Sequence, residues 1–353
     1  MGALPSWALL AAFLVSAGVI WAAGIKLSDY TDVLAERLHL GNALGGVVLL
    51  SIATNLPEIA ITVAAAASGN IEIAVGNILG GIAIQTVVLA LIDAFGVRTR
   101  RPLTFMAASL TLVLEAAMVV AILLVVLAGT QLPDTLIFAR LTPTPVLILI
   151  LWVLSLKIIG GAGSKLPWAD SGEAPDGQAK PRGHGRKSTE QKATDRGVTT
   201  RRAATVFGVA ALFTLIAGVA IERSGEQFFG DLGLSGVIFG STVLAAATSL
   251  PELSTGLTAA RAGDYKLAMG DIFAGNAFLP VLFVLVTLIS GEAVLPHAQS
   301  SDIYLTALGG LLTVVYIAGL ILRPRRQRLR MGIDSLIVII LYLVGIAGLV
   351  ALP

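Results

Sequence analysis

The sequence predicts an all-α membrane protein: ten transmembrane helices arranged as two inverted five-helix repeats. Three observations predict it. Hydrophobic residues make up 56% of the 353 positions and charged residues only 13%, about half the charged share of an ordinary soluble domain, and mean hydropathy is +0.88. Apolar runs long enough to cross a bilayer recur along the whole chain. Both halves carry one polar interruption, Ala53-Thr54-Asn55-Leu56-Pro57-Glu58 and Ala247-Thr248-Ser249-Leu250-Pro251-Glu252.

A helix rises about 1.5 Å per residue and the bilayer core is about 30 Å thick, so runs of about 20 apolar residues read as spans. They fall at approximately 5–24, 42–67, 73–95, 103–128, 145–162, 204–221, 235–260, 266–290, 303–322 and 332–351. The first is read as a span and not a secretory signal, because Met1-Gly2-Ala3-Leu4-Pro5 has no basic segment and the run exceeds a signal core. Cytoplasmic loops retain Lys and Arg. With the N-terminus outside, 22 of the 24 basic residues fall in inner loops or at inner span ends, leaving Arg140 and Arg223 outside. Both termini are therefore expected to be extracytoplasmic, in a multi-pass protein of the cell membrane.

The domain reading is residues 1–162 as the first repeat, 163–202 as a flexible basic cytoplasmic linker, and 203–353 as the second repeat. The linker is rich in Gly, Pro, Ser, Lys and Arg, with almost nothing apolar to bury. There is no cysteine, which excludes disulfides and thiolate metal sites, and His39, His184 and His297 share no ligand spacing. No cofactor and no nucleic acid are expected; the expected partners are transported cations and membrane lipid.

Shifting the chain by 194 residues carries Gly46 onto Gly240, Ala53 onto Ala247, Thr54 onto Thr248, Leu56 onto Leu250, Pro57 onto Pro251 and Glu58 onto Glu252. The same shift carries Gly69 onto Gly263, Ala74 onto Ala268, Gly76 onto Gly270, Ile78 onto Ile272 and Gly81 onto Gly275. Counting spans, the second runs from inside to outside and the seventh from outside to inside. Five spans plus five of opposite polarity make an inverted-topology repeat, an architecture of secondary transporters.

Thr54 and Glu58 are four apart and share a helix face, with Asn55 beside them; Thr248, Ser249 and Glu252 repeat the arrangement. Each proline removes a backbone donor, so the carbonyls of Ala53 and Ala247 lose their i+4 partners. Carbonyls, hydroxyls and carboxylates are hard oxygen ligands, and Ca²⁺ takes six to eight of them, more than one repeat supplies. Two facing repeats could. The competing structural reading is a proline kink capped by glutamate; its recurrence in register, on opposed spans, favours the cation reading. Glu58 and Glu252 are thus the expected metal-binding carboxylates.

Spans three and eight carry glycines for close helix packing, Gly76, Gly80 and Gly81, then Gly270 and Gly275, with Asn77 and Gln85 in the first copy and Asp271 and Asn276 in the second as possible secondary ligands. Glu115, about twelve residues into span four, reads as near mid-membrane, a proton relay, a gate or a backbone partner. Asp93 reads as interfacial.

These residues resemble the cation/calcium exchanger superfamily, which includes sodium/calcium exchangers. The resemblance rests on the two repeats at Gly46 to Ile92 and Gly240 to Ser290, the Thr-Ser-Leu-Pro-Glu type signature in both, Leu34-Ala35-Glu36-Arg37-Leu38 before the first, and the starts Ala74-Val75-Gly76-Asn77 and Ala268-Met269-Gly270-Asp271. It implies that Thr54, Glu58, Thr248, Ser249 and Glu252 line cation sites near the membrane centre. The chain departs from the family pattern where Gly81 and Gly275 stand for serines, Gln85 and Leu279 for later ligands, and Asn55 for the first serine. Asp271, eight residues before Leu279, lies roughly 12 Å away along an ideal helix and does not replace that ligand.

The function expected is alternating-access antiport of a cation, Ca²⁺ against Na⁺ or H⁺, at Glu58 and Glu252. Transport of another metal or a monovalent cation on the same scaffold is the alternative. An intramembrane enzyme is disfavoured, because no nucleophile and base are paired and no metal-ligand histidine set is present.

Overall fold

The computed structural model describes residues 5–37, 46–135, 137–165, 198–234 and 238–351. Most of the segment read as a linker, and His39 and His184 within the unread stretches, lie outside the described residues. The described chain is helical throughout, with only two isolated β-bridges.

Eight helices are long and apolar enough to cross a membrane, nine if one bent pair counts as a single span. In order the helices are α1 (Ser6–Arg37), α2 (Gly46–Thr54), α3 (Leu56–Ala67), α4 (Ile71–Gly96), α5 (Leu103–Ala107), α6 (Leu110–Gly129), α7 (Pro143–Lys165) and α8 (Thr200–Asp231). The second half continues with α9 (Phe239–Thr248), α10 (Leu250–Ala262), α11 (Tyr265–Ser290), α12 (Ser300–Leu322) and α13 (Ile333–Val350). The sequence expects ten spans; the run 235–260 is the one that does not qualify. It is divided at Ser249 into α9 and the 13-residue α10, each too short to cross alone, and Glu252, Ser254 and Thr255 make the second piece the more polar.

Both signatures break the helix at the residue before Leu-Pro. Asn55 and Ser249 are the break residues, and α2 meets α3 at 55°. Proline supplies no N–H, so the carbonyl four residues back has no helical donor and the axis turns there. Before its break, α9 has a π-helical stretch, Phe239–Leu244. Its wider turn lets Ser241 meet α4 at Gly80, where an added Cβ would lie 2.5 Å from the Ser241 Cα.

The end helices differ from their expected bounds. α1 and α8 have 32 residues each, about 48 Å of helix, and pack along one another through Phe13, Ile20, Ala217 and Ile221. The extra turns reach beyond the apolar runs: Arg37 of α1 donates to the Val198 carbonyl at 2.7 Å, just before α8 begins. The main core lies among α4, α6, α11, α12 and α13, with Ile78, Ile82, Phe273, Phe283 and Tyr316 fully buried.

One pair of repeated features escapes the 194-residue shift. Phe138 bridges Leu141 before α7, and Arg328 bridges Met331 before α13. The two central residues of each turn have positive φ: 50° and 60° at Ala139 and Arg140, 52° and 68° at Leu329 and Arg330. These turns are 190 residues apart. A four-residue length difference between the halves hides them from an ungapped comparison.

Candidate functional site

The two helix breaks meet in the middle of the fold. Thr54, Asn55, Glu58, Thr248, Ser249 and Glu252 are each at most 1% exposed. Glu58 occupies the first turn of α3 and Glu252 the first turn of α10, where the positive end of the helix dipole favours an anion by about 0.3–2 kcal/mol. A charged side chain at mid-bilayer costs at least about 2.5–3.5 kcal/mol. The dipole alone does not offset two such groups, which leaves room for a bound positive charge.

The repeats cross at this point. Thr248 lies beside Glu58 and Thr54 beside Glu252, but both hydroxyls donate into their own helices, Thr54 to the Ser51 carbonyl and Thr248 to the Ala245 carbonyl, each at 3.2 Å. Ser249 also donates to the Ala245 carbonyl at 2.8 Å. The hydroxyl oxygens keep free lone pairs next to the carboxylates. The Ala53 and Ala247 carbonyls stand at the two breaks, with proline where their donors would be.

Around Glu58 the neighbours are amides. Gln85 Nε2 donates to Asn55 Oδ1 at 2.9 Å and reaches Glu58 Oε1 at 3.5 Å, and Asn77 Nδ2 donates to the Glu58 carbonyl at 3.2 Å and to Thr62 Oγ1 at 3.1 Å. Asn55 Nδ2 donates to the Ser51 carbonyl at 2.7 Å. Gly275 makes room for this group: a Cβ there would lie 2.8 Å from Asn55 Nδ2. Around Glu252 the neighbours are acids, Glu58 and Asp271, close enough to repel it. Asp271 accepts from Thr255 at 3.0 Å and from Ser51 of the other half at 3.3 Å.

Among the described residues, ten buried side-chain polar atoms have no hydrogen-bond partner, and all ten are oxygens. Five belong to this region: Glu58 Oε2, both Glu252 oxygens, Asn77 Oδ1 and Gln85 Oε1; Asn276, whose Nδ2 donates to Thr86 at 3.0 Å, has no hydrogen bond to the glutamates. Buried polar atoms in folded proteins are normally satisfied. Five unsatisfied acceptors, unaccompanied by an unsatisfied donor, fit a cation. No three His, Asp or Glu side chains are placed to hold one metal ion among the described residues, so the available ligands are two carboxylates plus neutral oxygens, with Asp271 at the edge.

Helix α6 starts afresh at Leu110 after the break at Ala108 and Ser109, and Glu115 lies in its second turn. Its carboxylate sits in a cleft with Val48, Met118, Trp152 and Phe273, next to Gly270 and apart from the glutamates. Asp93, near the end of α4, is fully buried and accepts three hydrogen bonds. Ser51 and Thr255 escaped the sequence reading. Their signal is spacing, four residues before Asn55 and three after Glu252.

On the face where α4 begins, an open vestibule of about 490 Å³ is lined by Glu72, Glu226, Glu292, Asp302 and His297, with no Lys or Arg. His297 stands 3.7 Å from Asp134, both exposed.

A family model described as sodium/calcium exchanger protein matches residues 8–159 and 202–350. The inner membrane protein YrbG of Escherichia coli is 25% identical over 305 residues, 83% of this chain and 84% of that one. The solved H⁺/Ca²⁺ exchanger CAX superposes with a TM-score of 0.69 at 13% identity, covering 98% of this chain and 82% of that one. The sodium-calcium exchanger NCX_Mj, soaked with Na⁺ and Sr²⁺, superposes at 0.61 with 16% identity over 98% and 99% of the two chains. At these identities the structural likeness is one of fold.

Proposed function

The chain belongs to the sodium/calcium exchanger protein family, a family of membrane exchangers and not of enzymes, and we propose that it exchanges Ca²⁺ for Na⁺ or H⁺ by alternating access at Glu58 and Glu252. The observation that carries this reading is the set of five unpartnered buried oxygens at and beside the two helix breaks. Ca²⁺ takes six to eight oxygens at 2.3–2.6 Å, and these atoms, with the Ala53 and Ala247 carbonyls and the Thr54, Thr248 and Ser249 hydroxyls, supply that number and type.

With α9 and α10 taken as one interrupted span, the helices number ten, and each half contributes five. The breaks of the two halves then belong to spans of opposite polarity, and rocking one set against the other would expose the site to either side. The face with the basic loops is cytoplasmic in this reading, the termini lie outside, and the acidic vestibule faces outward. Four carboxylates, with no Lys or Arg among the described residues that line it, concentrate cations at that mouth.

A second reading, another metal or a monovalent cation, draws on Gly81, Gly275 and Leu279, which offer no side-chain oxygen. Isothermal titration with Ca²⁺, Mn²⁺, Mg²⁺ and Na⁺ separates the two. The direct test is ⁴⁵Ca²⁺ flux into proteoliposomes under separately imposed sodium and proton gradients. Uptake driven by at least one gradient is expected; no Ca²⁺ movement under either, with folded protein, would overturn the proposal.

A further inference from the structure

Far from the cation site, on the face that carries the basic loops, α4, α5, α12 and α13 meet around two more buried carboxylates. Asp93 Oδ1 accepts from the Leu103 N–H at 2.8 Å, and its Oδ2 accepts from the Gly332 N–H and the Ser335 hydroxyl, each at 2.7 Å. Asp334, 3% exposed, accepts from the Ser335 N–H at Oδ1 at 3.0 Å, while its Oδ2 has no donor. Beside Asp334 stands Thr104 of α5, 1% exposed, whose Oγ1 is also unpartnered. Tyr316 of α12 donates to the Ser335 hydroxyl at 3.4 Å.

The surroundings are built for this group. A Cβ at either Gly319 or Gly332 would collide with the Asp334 carboxylate, so both positions require glycine. The other half of the chain shows that such a junction does not need acids. At the 190-residue spacing of the paired turns, Gly129 stands for Gly319 and Thr144 for Asp334, and a Cβ at Gly129 would collide with Thr144 in the same way. The residue 194 beyond Asp93 is Thr287, buried and donating to its own helix. One architecture is closed by threonines at one face and by two aspartates at the other.

No Lys or Arg is among the partners of either aspartate. The charged groups nearest in the chain are Arg101, which stacks on the Phe105 ring, Arg323 at the end of α12, and Arg325, Arg326, Arg328 and Arg330 in the exposed loop before α13. On α11, which packs against α5, Lys266 is exposed. The two carboxylates lie close enough to repel one another.

We propose that Asp93 and Asp334 together hold one proton, forming a proton-binding site separate from the cation site. Both Asp93 oxygens receive hydrogen bonds, so the proton resides on Asp334 Oδ2 and is donated to Thr104 Oγ1. A single proton satisfies both unpartnered atoms and removes the repulsion between the acids. A metal ion fits poorly, because it would need about six oxygens and only one carboxylate oxygen and one hydroxyl are free. The ordinary alternative is that both aspartates stay ionised and Thr104 donates to Asp334.

The test uses the full chain in liposomes and needs no transport. Infrared difference spectra across a pH titration are expected to show a protonated-carboxyl band that disappears in Asp334→Asn but persists in Glu58→Gln and Glu115→Gln. The thermal midpoint of the wild type should fall by about 3 °C as rising pH strips the proton, and that fall should be absent in Asp334→Asn and in Asp334→Thr, which copies Thr144. Thr104→Val keeps both acids and should shift the band. An unchanged band and an unchanged pH-dependent fall in the Asp334 variants, or no band shift in Thr104→Val, would overturn the proposal.

Discussion

The two helix breaks share a sequence signature and differ in what surrounds it. The first is laced by amides: Gln85 joins Asn55 and Glu58, and Asn77 holds the Glu58 carbonyl. The second is left bare and acidic, with both Glu252 oxygens unpartnered and Asp271 beside it. An amide network fixes a carboxylate in place before an ion arrives, whereas an unpaired carboxylate among acids gains most from the ion's arrival. In the proposed exchange, the first half positions the ion and the second half supplies most of the attraction.

That contrast can be broken at several points. Glu252→Gln should have the largest effect, lowering ⁴⁵Ca²⁺ flux about 100-fold, with Glu58→Gln lowering it about 10-fold; each tenfold step corresponds to about 1.4 kcal/mol. Equal losses from the two would remove the asymmetry. Asp271→Asn copies Asn77 into the second half and should weaken Ca²⁺ binding by several-fold in a titration, since it takes a negative charge from Glu252's neighbourhood and keeps the contacts with Thr255 and Ser51.

Stability separates two glycines of α4 by packing. Gly80→Ala drives a Cβ into the Ser241 backbone and should cost about 1–3 kcal/mol, read as a lowered thermal midpoint. Gly76→Ala, with nothing within 4 Å of its added Cβ, should leave the midpoint unchanged. Between these two lies Gln85→Leu, which copies Leu279, leaves Asn55 Oδ1 without its donor and should cost about 1–2 kcal/mol. A Gly76→Ala loss matching that of Gly80→Ala would contradict the packing of α4 against the π-helical stretch.

Much of this was legible in residues. Apolar runs located the spans, and Leu-Pro-Glu located both breaks, because a proline inside such a run can only interrupt the helix. Glycine spacing pointed to α4 and α11 as the helices approached closely. Other features were not legible. Nothing in 103–128 marks the restart at Leu110. The burial of Asp93 was not legible because its partners, Gly332 and Ser335, are about 240 residues away in the chain. The paired turns before α7 and α13 were hidden by the change of offset from 194 to 190. The run 235–260 was long enough to count as a span, yet the break at Ser249 divides it into two pieces each too short to cross alone.

The central claim is that one cation is held jointly by the two breaks. Isothermal titration of purified protein with Ca²⁺ tests it most directly, comparing wild type with Glu58→Gln, Glu252→Gln and the double variant. One binding event per chain is predicted, weakened in either single variant and lost in the double. Undiminished Ca²⁺ binding by the folded double variant would contradict it.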